Sequence, residues 1–333
     1  MSNQSTKSST ALYVLAVLFI IWGILGLMDA KNYVTSGYNT DGNNTIIKII
    51  EGGPAEAAGL QVGDVIKSTG GIAVTDTKAL NNRARAKAGE TRTYVVDRNG
   101  EEVSAELTFA PMTDKNSTLN MVAFVLGLLF IICGLLTHNK VGSALSYAFA
   151  MFALCFGFIF FDGPYTAPGF LDNLLDSVDT SIVLFSFVAL ASFMLKYPKE
   201  SSFNSKLLYA PALILIIIIW ILNFVQPDGS STLNVVMRTL FSLVILFYFG
   251  LSLITLIKKY NNTSADNRAS SGLSLMLIGT IIGIVPILIV FVTRLVSPQT
   301  VLPGGEYVFI TFAAIAIFFS MAVMRQNNQT ITE

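Results

Sequence analysis

Few side chains in this 333-residue chain could do chemistry, and their spacing limits them further. The one histidine is His138, in His138-Asn139-Lys140. A zinc hydrolase needs two imidazoles on one helix face, as in H-E-x-x-H, so a single histidine cannot build that metal site. A Ser/His dyad inside a membrane fails for the same reason, because no histidine falls within an apolar segment. Ser143 and Ser320 then read as small polar helix residues. A pair of intramembrane aspartates is not available either: Asp162 closes an apolar run, and Gly63-Asp64 lies in a polar region. Cys133 and Cys155 fall in the later parts of consecutive apolar segments. Antiparallel packing puts them at different depths, so a disulfide is not expected. The expectation is a protein with no catalytic residues, no metal and no cofactor.

The composition explains where the rest of the chain goes. It is 53% hydrophobic and 13% charged, against roughly 25% charged in a soluble domain. A net charge of +0 argues against nucleic acid as a partner. Eight apolar segments approach or exceed the roughly 18 residues that mark a membrane-spanning helix. They cover residues 11–28, 119–136, 141–161, 178–195, 207–224, 235–257, 273–292 and 307–324. The expected fold class is an α-helical multi-pass membrane protein of about eight spans, with a small α/β domain after the first. Residues 1–10 are expected to be a disordered tail, 29–45 a linker, 46–111 the small domain, 119–324 a seven-helix domain and 325–333 a second tail. Lys7 would serve a signal peptide, but the first run is long. Leu27-Met28-Asp29-Ala30 also fits a cleavage site poorly, so an uncleaved anchor is expected.

Loop charge sets the orientation. Lys140, then Lys196, Lys199 and Lys206, then Lys258, Lys259 and Arg268, and finally Arg325 lie in alternate loops. The intervening loops carry Asp162, Asp172, Asp176, Asp179, Asp228 and Glu306, with Arg238 and Arg294 close by. Both termini are therefore expected in the cytoplasm and the small domain outside it. Spans nearly free of ionisable groups argue against ion-coupled transport. Trp22 and Trp220 read as packing residues, and Gly279, Gly283 and Pro286 as a kink or a close helix contact rather than a pocket.

The small domain carries the most specific pattern. Residues 46–67 read IIKIIEGGPAEAAGLQVGDVIK. An apolar strand meets Gly52-Gly53-Pro54, with Pro54 at the first turn of a short helix. Gly59 stands where the helix end needs positive φ, and Gly63 where a tight turn reverses into the next strand. Gly53-Pro54-Ala55, Ala58-Gly59-Leu60 and Gly63-Asp64-Val65-Ile66 resemble the hallmark run of bacterial-type PDZ domains. Gly70-Gly71-Ile72-Ala73-Val74 stands in place of that family's N-G-x-x-V, a helix is expected over 77–87, and Asn99-Gly100 marks a hairpin. The resemblance implies a β-barrel-like sheet with two helices, and peptide or protein binding by strand addition. Its peptide site would be formed by Ile46, Ile47, Lys48 and Ile49 together with Lys78, Asn82 and Arg85. The last three share a helix face at i, i+4, i+7. Two readings stand: a groove favouring an acidic segment, or a solvated helix face. No clear G-h-G-h loop precedes Ile46, so C-terminal capture and internal-segment binding both remain open.

A second resemblance covers the later spans. Phe193-Met194-Leu195-Lys196-Tyr197-Pro198, Leu207-Leu208-Tyr209-Ala210-Pro211, Lys258-Lys259-Tyr260 and Leu302-Pro303 are similar to the input module of competence-pheromone-type histidine kinases. A kinase domain is not expected in the few residues after the last span. The resemblance implies a receptor in the bacterial cytoplasmic membrane that relays a signal to a cytoplasmic partner. The alternative is a scaffold for envelope protein assembly or proteolysis.

Overall fold

The computed structural model describes residues 2–112, 114–198, 205–225, 232–296 and 302–332. Lys199 and Asp228, which entered the loop-charge argument, lie outside the described residues, as do the side chains of Lys206 and Arg294.

The chain begins with helix α1 (Ser2–Ala30), which extends through the residues expected to be a disordered tail. The small domain follows: β1 (Val34–Thr35), β2 (Tyr38–Thr40), β3 (Ile46–Ile49), α2 (Pro54–Ala57), β4 (Val65–Thr69) and β5 (Ile72–Ala73), then α3 (Thr77–Asn81), β6 (Thr91–Arg98), β7 (Glu101–Thr108) and β8 (Ala110–Pro111). The antiparallel sheet runs β5-β4-β6-β7; β2 pairs with β3 and β1 with β8. The expected linker 29–45 is thus corrected. Most of it belongs to the domain, because Val34 pairs with Pro111 and Tyr38 with Ile49. Ile46, Leu60, Ile66, Val96 and Leu107 fill the core between sheet and α2.

Turn chemistry explains the sharp local geometry. Gly59 has φ +74 and Gly63 φ +99. The Gly59 N–H donates to Glu56 O and the Leu60 N–H to Ala55 O, the paired bonds of a Schellman stop. Asn99 (φ 55) and Gly100 (φ 90) both take positive φ between β6 and β7, which a two-residue type I′ turn requires.

The helical part comprises α4 (Asp114–Val141), α5 (Ala144–Phe158), α6 (Phe170–Lys196), α7 (Ser205–Val225), α8 (Thr232–Asn262), α9 (Ala265–Ser270), α10 (Leu273–Val296), a 3-10 turn (Gly305–Phe312) and α11 (Ala313–Thr332). Among the described residues, seven helices are long and apolar enough to cross a bilayer. The segment expected as the span 141–161 is shorter. Gly142, at φ +65, ends α4, Ser143 caps α5, and α5 has 15 residues. That is about 23 Å at 1.5 Å per residue, against a core of about 30 Å. Helix α5 is mostly buried and is held between α4 and α6. A Cβ on Gly127 of α4 would lie 2.6 Å from Gly157 O of α5, so these glycines allow the two backbones to meet. Gly279 and Gly283 do the same between α10 and α11: their added Cβ atoms would sit 2.6 Å from Phe318 Cβ and 2.7 Å from Ile315 Cγ1.

The end of the bundle away from the small domain is knit by basic side chains. Lys259 Nζ donates to Met194 O (2.9 Å), Leu195 O (2.8 Å) and Tyr197 O, so a cation caps the C-terminus of α6. The buried Tyr197 hydroxyl donates to Ser271 O and Ala322 O. The motifs around Tyr197 and Lys259, far apart in sequence, are one structural joint.

Candidate functional site

Strand β3 is paired along one side and engaged at its first residue on the other. On one side it pairs with β2. On the other, the Ile46 N–H donates to Asp64 O and Ile46 O accepts from the Gly63 N–H. Ile46 is fully buried, whereas Ile47 and Lys48 are exposed and Ile49 is half-buried. Strand β2 has an open edge: among the described residues no strand pairs with its outer side. The Ile50 N–H donates to Gly37 O at 2.8 Å. Tyr38, one residue on, is therefore a non-hydrogen-bonded partner of Ile49 and turns its backbone groups outward. The loop before β2 has little spare capacity to hold a carboxylate, because the Gly37 N–H already donates to Thr35 Oγ1 at 3.1 Å. Sequence reasoning missed β2 because Tyr38-Asn39-Thr40 has no alternating apolar pattern.

The helix expected over 77–87 stops at Asn81, with Asn82 as its C-cap. The three residues placed on one face therefore separate. Lys78 is exposed on α3 and Asn82 is exposed at its end, with Asn82 Nδ2 donating to Lys78 O. Arg83 turns inward to donate to Thr69 O at 2.8 Å over the glycine at position 70, where a Cβ would clash at 2.2 Å. Asn81 and Asn82 instead face the bundle. They help line a cavity of about 840 Å³ together with Asp172, Asp176 and Arg238.

Arg85 lies beyond the helix, in a cluster that joins the domain to the bundle. Its Nη1 is 2.9 Å from Asp29 Oδ2, at the end of α1. Its guanidinium lies 4.3 Å from the ring centre of Tyr33 and 4.2 Å from that of Tyr165, which precedes α6. The Arg85 N–H donates to Tyr165 Oη, and the Tyr165 N–H donates to Asp29 Oδ2 at 3.0 Å. A planar cation between two rings with a carboxylate at its edge suits Arg and not Lys. Arg85 is thus committed to the bundle and does not edge an acidic-ligand groove.

Asp64 of the Gly-Asp pair is a structural staple. It is 1% exposed, takes Arg98 Nε at 2.7 Å and Arg98 Nη2 at 2.8 Å, and accepts the Gln61 N–H. Hydrogen bonds from Arg98 hold its carboxyl below the ordinary range, outweighing desolvation. A depressed folded-state pKa means that this stabilisation is complete above the unfolded pKa and is lost as pH falls toward the folded one. The contribution of Asp64 to the small domain should be complete above about pH 5 and decline progressively as pH falls below about pH 4. Acid titration followed by near-UV circular dichroism checks this, and the Asp64→Asn variant should show a shallower acid slope.

His138 lies on the last turn of α4, with Nδ1 3.1 Å from Ser146 Oγ. Ser146 is fully buried, and its hydroxyl also reaches Ser143 O and the Ser143 N–H. Ser143 and Ser146 form a reciprocal helix cap. Cys133 and Cys155 are free thiols.

Residues 34–109 match the PDZ domain family, and the β2 edge, the α2 stop and the Asp64 turn all fall inside that match. No curated protein matches the chain, and the comparisons give no support to the kinase input-module resemblance.

Proposed function

We propose that this protein is a non-catalytic membrane receptor. Its PDZ domain captures an internal segment of an extracytoplasmic peptide or protein by strand addition to β2, and the helical bundle relays that event to a cytoplasmic partner. The observation that carries the reading is the Arg85 cluster. It ties a peptide-binding fold to α1 and to the start of α6, so a change in the domain has a physical route into the bundle. The orientation rests on loop charge. Lys196, Lys258, Lys259 and Arg325 belong to the end of the bundle away from the domain, which the positive-inside rule assigns to the cytoplasm.

Peptides selected against the full chain in nanodiscs test the binding mode without altering the protein. An added strand alternates backbone groups toward and away from its partner. N-methylation at every second ligand residue should therefore weaken binding about fivefold per methyl, and methylation at the intervening residues should not. Loss of affinity without that alternation would refute strand addition. Constitutive association with one envelope complex, indifferent to such peptides, would favour the scaffold.

A further inference from the structure

We infer that the bundle holds an anionic phospholipid in a groove between α1 and α7, with its headgroup at the Lys196 end. This rests on the membrane placement proposed above but not on peptide reception.

The groove consists of two cavities that meet. One, of about 670 Å³, is lined almost wholly by apolar side chains, including Leu18 and Trp22 of α1, Val178 and Ile182 of α6, and Ile216 of α7. The other, of about 620 Å³, has a polar mouth formed by His138, Asn139, Ser143, Ser192 and Lys196. Met151 and Phe185 line both. The floor is one stripe of α6, with residues 175, 178, 182, 185, 189, 192 and 196 falling at helical spacing. From 175 to 196 this stripe rises about 31 Å, close to the hydrocarbon thickness of about 30 Å. Helix α1 packs on α4 and α5, and the groove lies along its other side.

The polarity changes in the order a lipid requires. A cation and hydrogen-bonding groups stand at one end, and Met151, Phe185 and Ala189 lie just inside them. Apolar surface follows until Ser181, whose hydroxyl already accepts from Trp220 Nε1 and donates to Ser177 O, and Asp179 near the far end. Among the described lining residues of the mouth there is no carboxylate, so its charge complements a phosphate. A soluble anion would leave the apolar half unfilled, and an uncharged hydrocarbon would leave Lys196 unused.

The test uses the full chain purified in detergent. Native mass spectrometry should retain phospholipid adducts, with phosphatidylglycerol enriched relative to the host membrane. Added phosphatidylglycerol should raise the unfolding temperature by several degrees more than phosphatidylcholine does, and inorganic phosphate should not. Lys196→Glu should abolish the difference between the two lipids. Lys140→Glu changes a basic residue that does not line the groove and should preserve that difference. Should Lys196→Glu fail to fold, Lys196→Gln gives the same readout. Equal shifts with both lipids, equal losses in the two charge variants, a shift from phosphate alone, or a lipid-free protein dimer would each overturn the inference. Extraction of the chain without detergent would instead refute the membrane placement itself.

Discussion

Replacing Arg85 with alanine should release the PDZ domain from the helical bundle while leaving both folded. The substitution removes an ion pair with Asp29 and two ring contacts, with Tyr33 and Tyr165. The ion pair is mostly shielded, with side-chain exposure of 25% for Arg85 and 20% for Asp29. Each cation–ring contact contributes about 0.5–2 kcal/mol, and the charged hydrogen bond about 1.5–3 kcal/mol. A combined loss of about 3 kcal/mol would shift a docked population more than a hundredfold. Spin labels at Val62 and Phe170, both exposed, should give a narrow distance distribution in the wild type and a broad one in Arg85→Ala. Arg85→Lys should fall between them, because an ammonium keeps charge but loses the planar fork. An unchanged distribution in Arg85→Ala would remove the proposed route from domain to bundle. If the distribution broadens and a cellular response persists, the domain binds without signalling.

The second large effect is expected at Asp64. Its removal leaves Arg98 without its carboxylate and the Gln61 N–H without an acceptor, in a site where Asp64 is 1% exposed. Losing charged hydrogen bonds of this kind costs about 1.5–3 kcal/mol, a large share of the stability of a domain this size. Asp64→Ala should abolish the cooperative unfolding transition of the domain or lower its midpoint sharply, measured by hydrogen exchange across β4, β6 and β7. The bundle helices should keep their protection. Protection in β4 and β6 equal to wild type would show that Asp64 is dispensable.

What could be read in the sequence was local. The positive φ of Gly59, Gly63 and Asn99-Gly100 follows from neighbouring residues, so the turns of the PDZ domain were legible. The apolar runs gave the long helices for the same reason. What escaped was decided by distant partners. β1 is two residues long and exists through β8. β2 contains no alternating apolar residues and exists through β3. The expected helix over 77–87 lost its second half to tertiary bonds, as Arg83 turned to Thr69 and Arg85 to Asp29. Arg85 and Tyr165 are 80 positions apart, so no window along the chain could bring them together.

The pairing of Val34 with Pro111 and Thr35 with Ala110 has a consequence for how such a chain is assembled. The domain enters and leaves through a closed two-stranded stem, whose facing Cα atoms lie about 5 Å apart. Neighbouring ends of this kind make a module transplantable, because a host can accept or surrender it without moving its own termini. Helices α1 and α4 would meet across a short joint if the module were absent, and they already pack against each other. The PDZ domain is therefore built as a cassette that could be exchanged without moving the helices on either side of it.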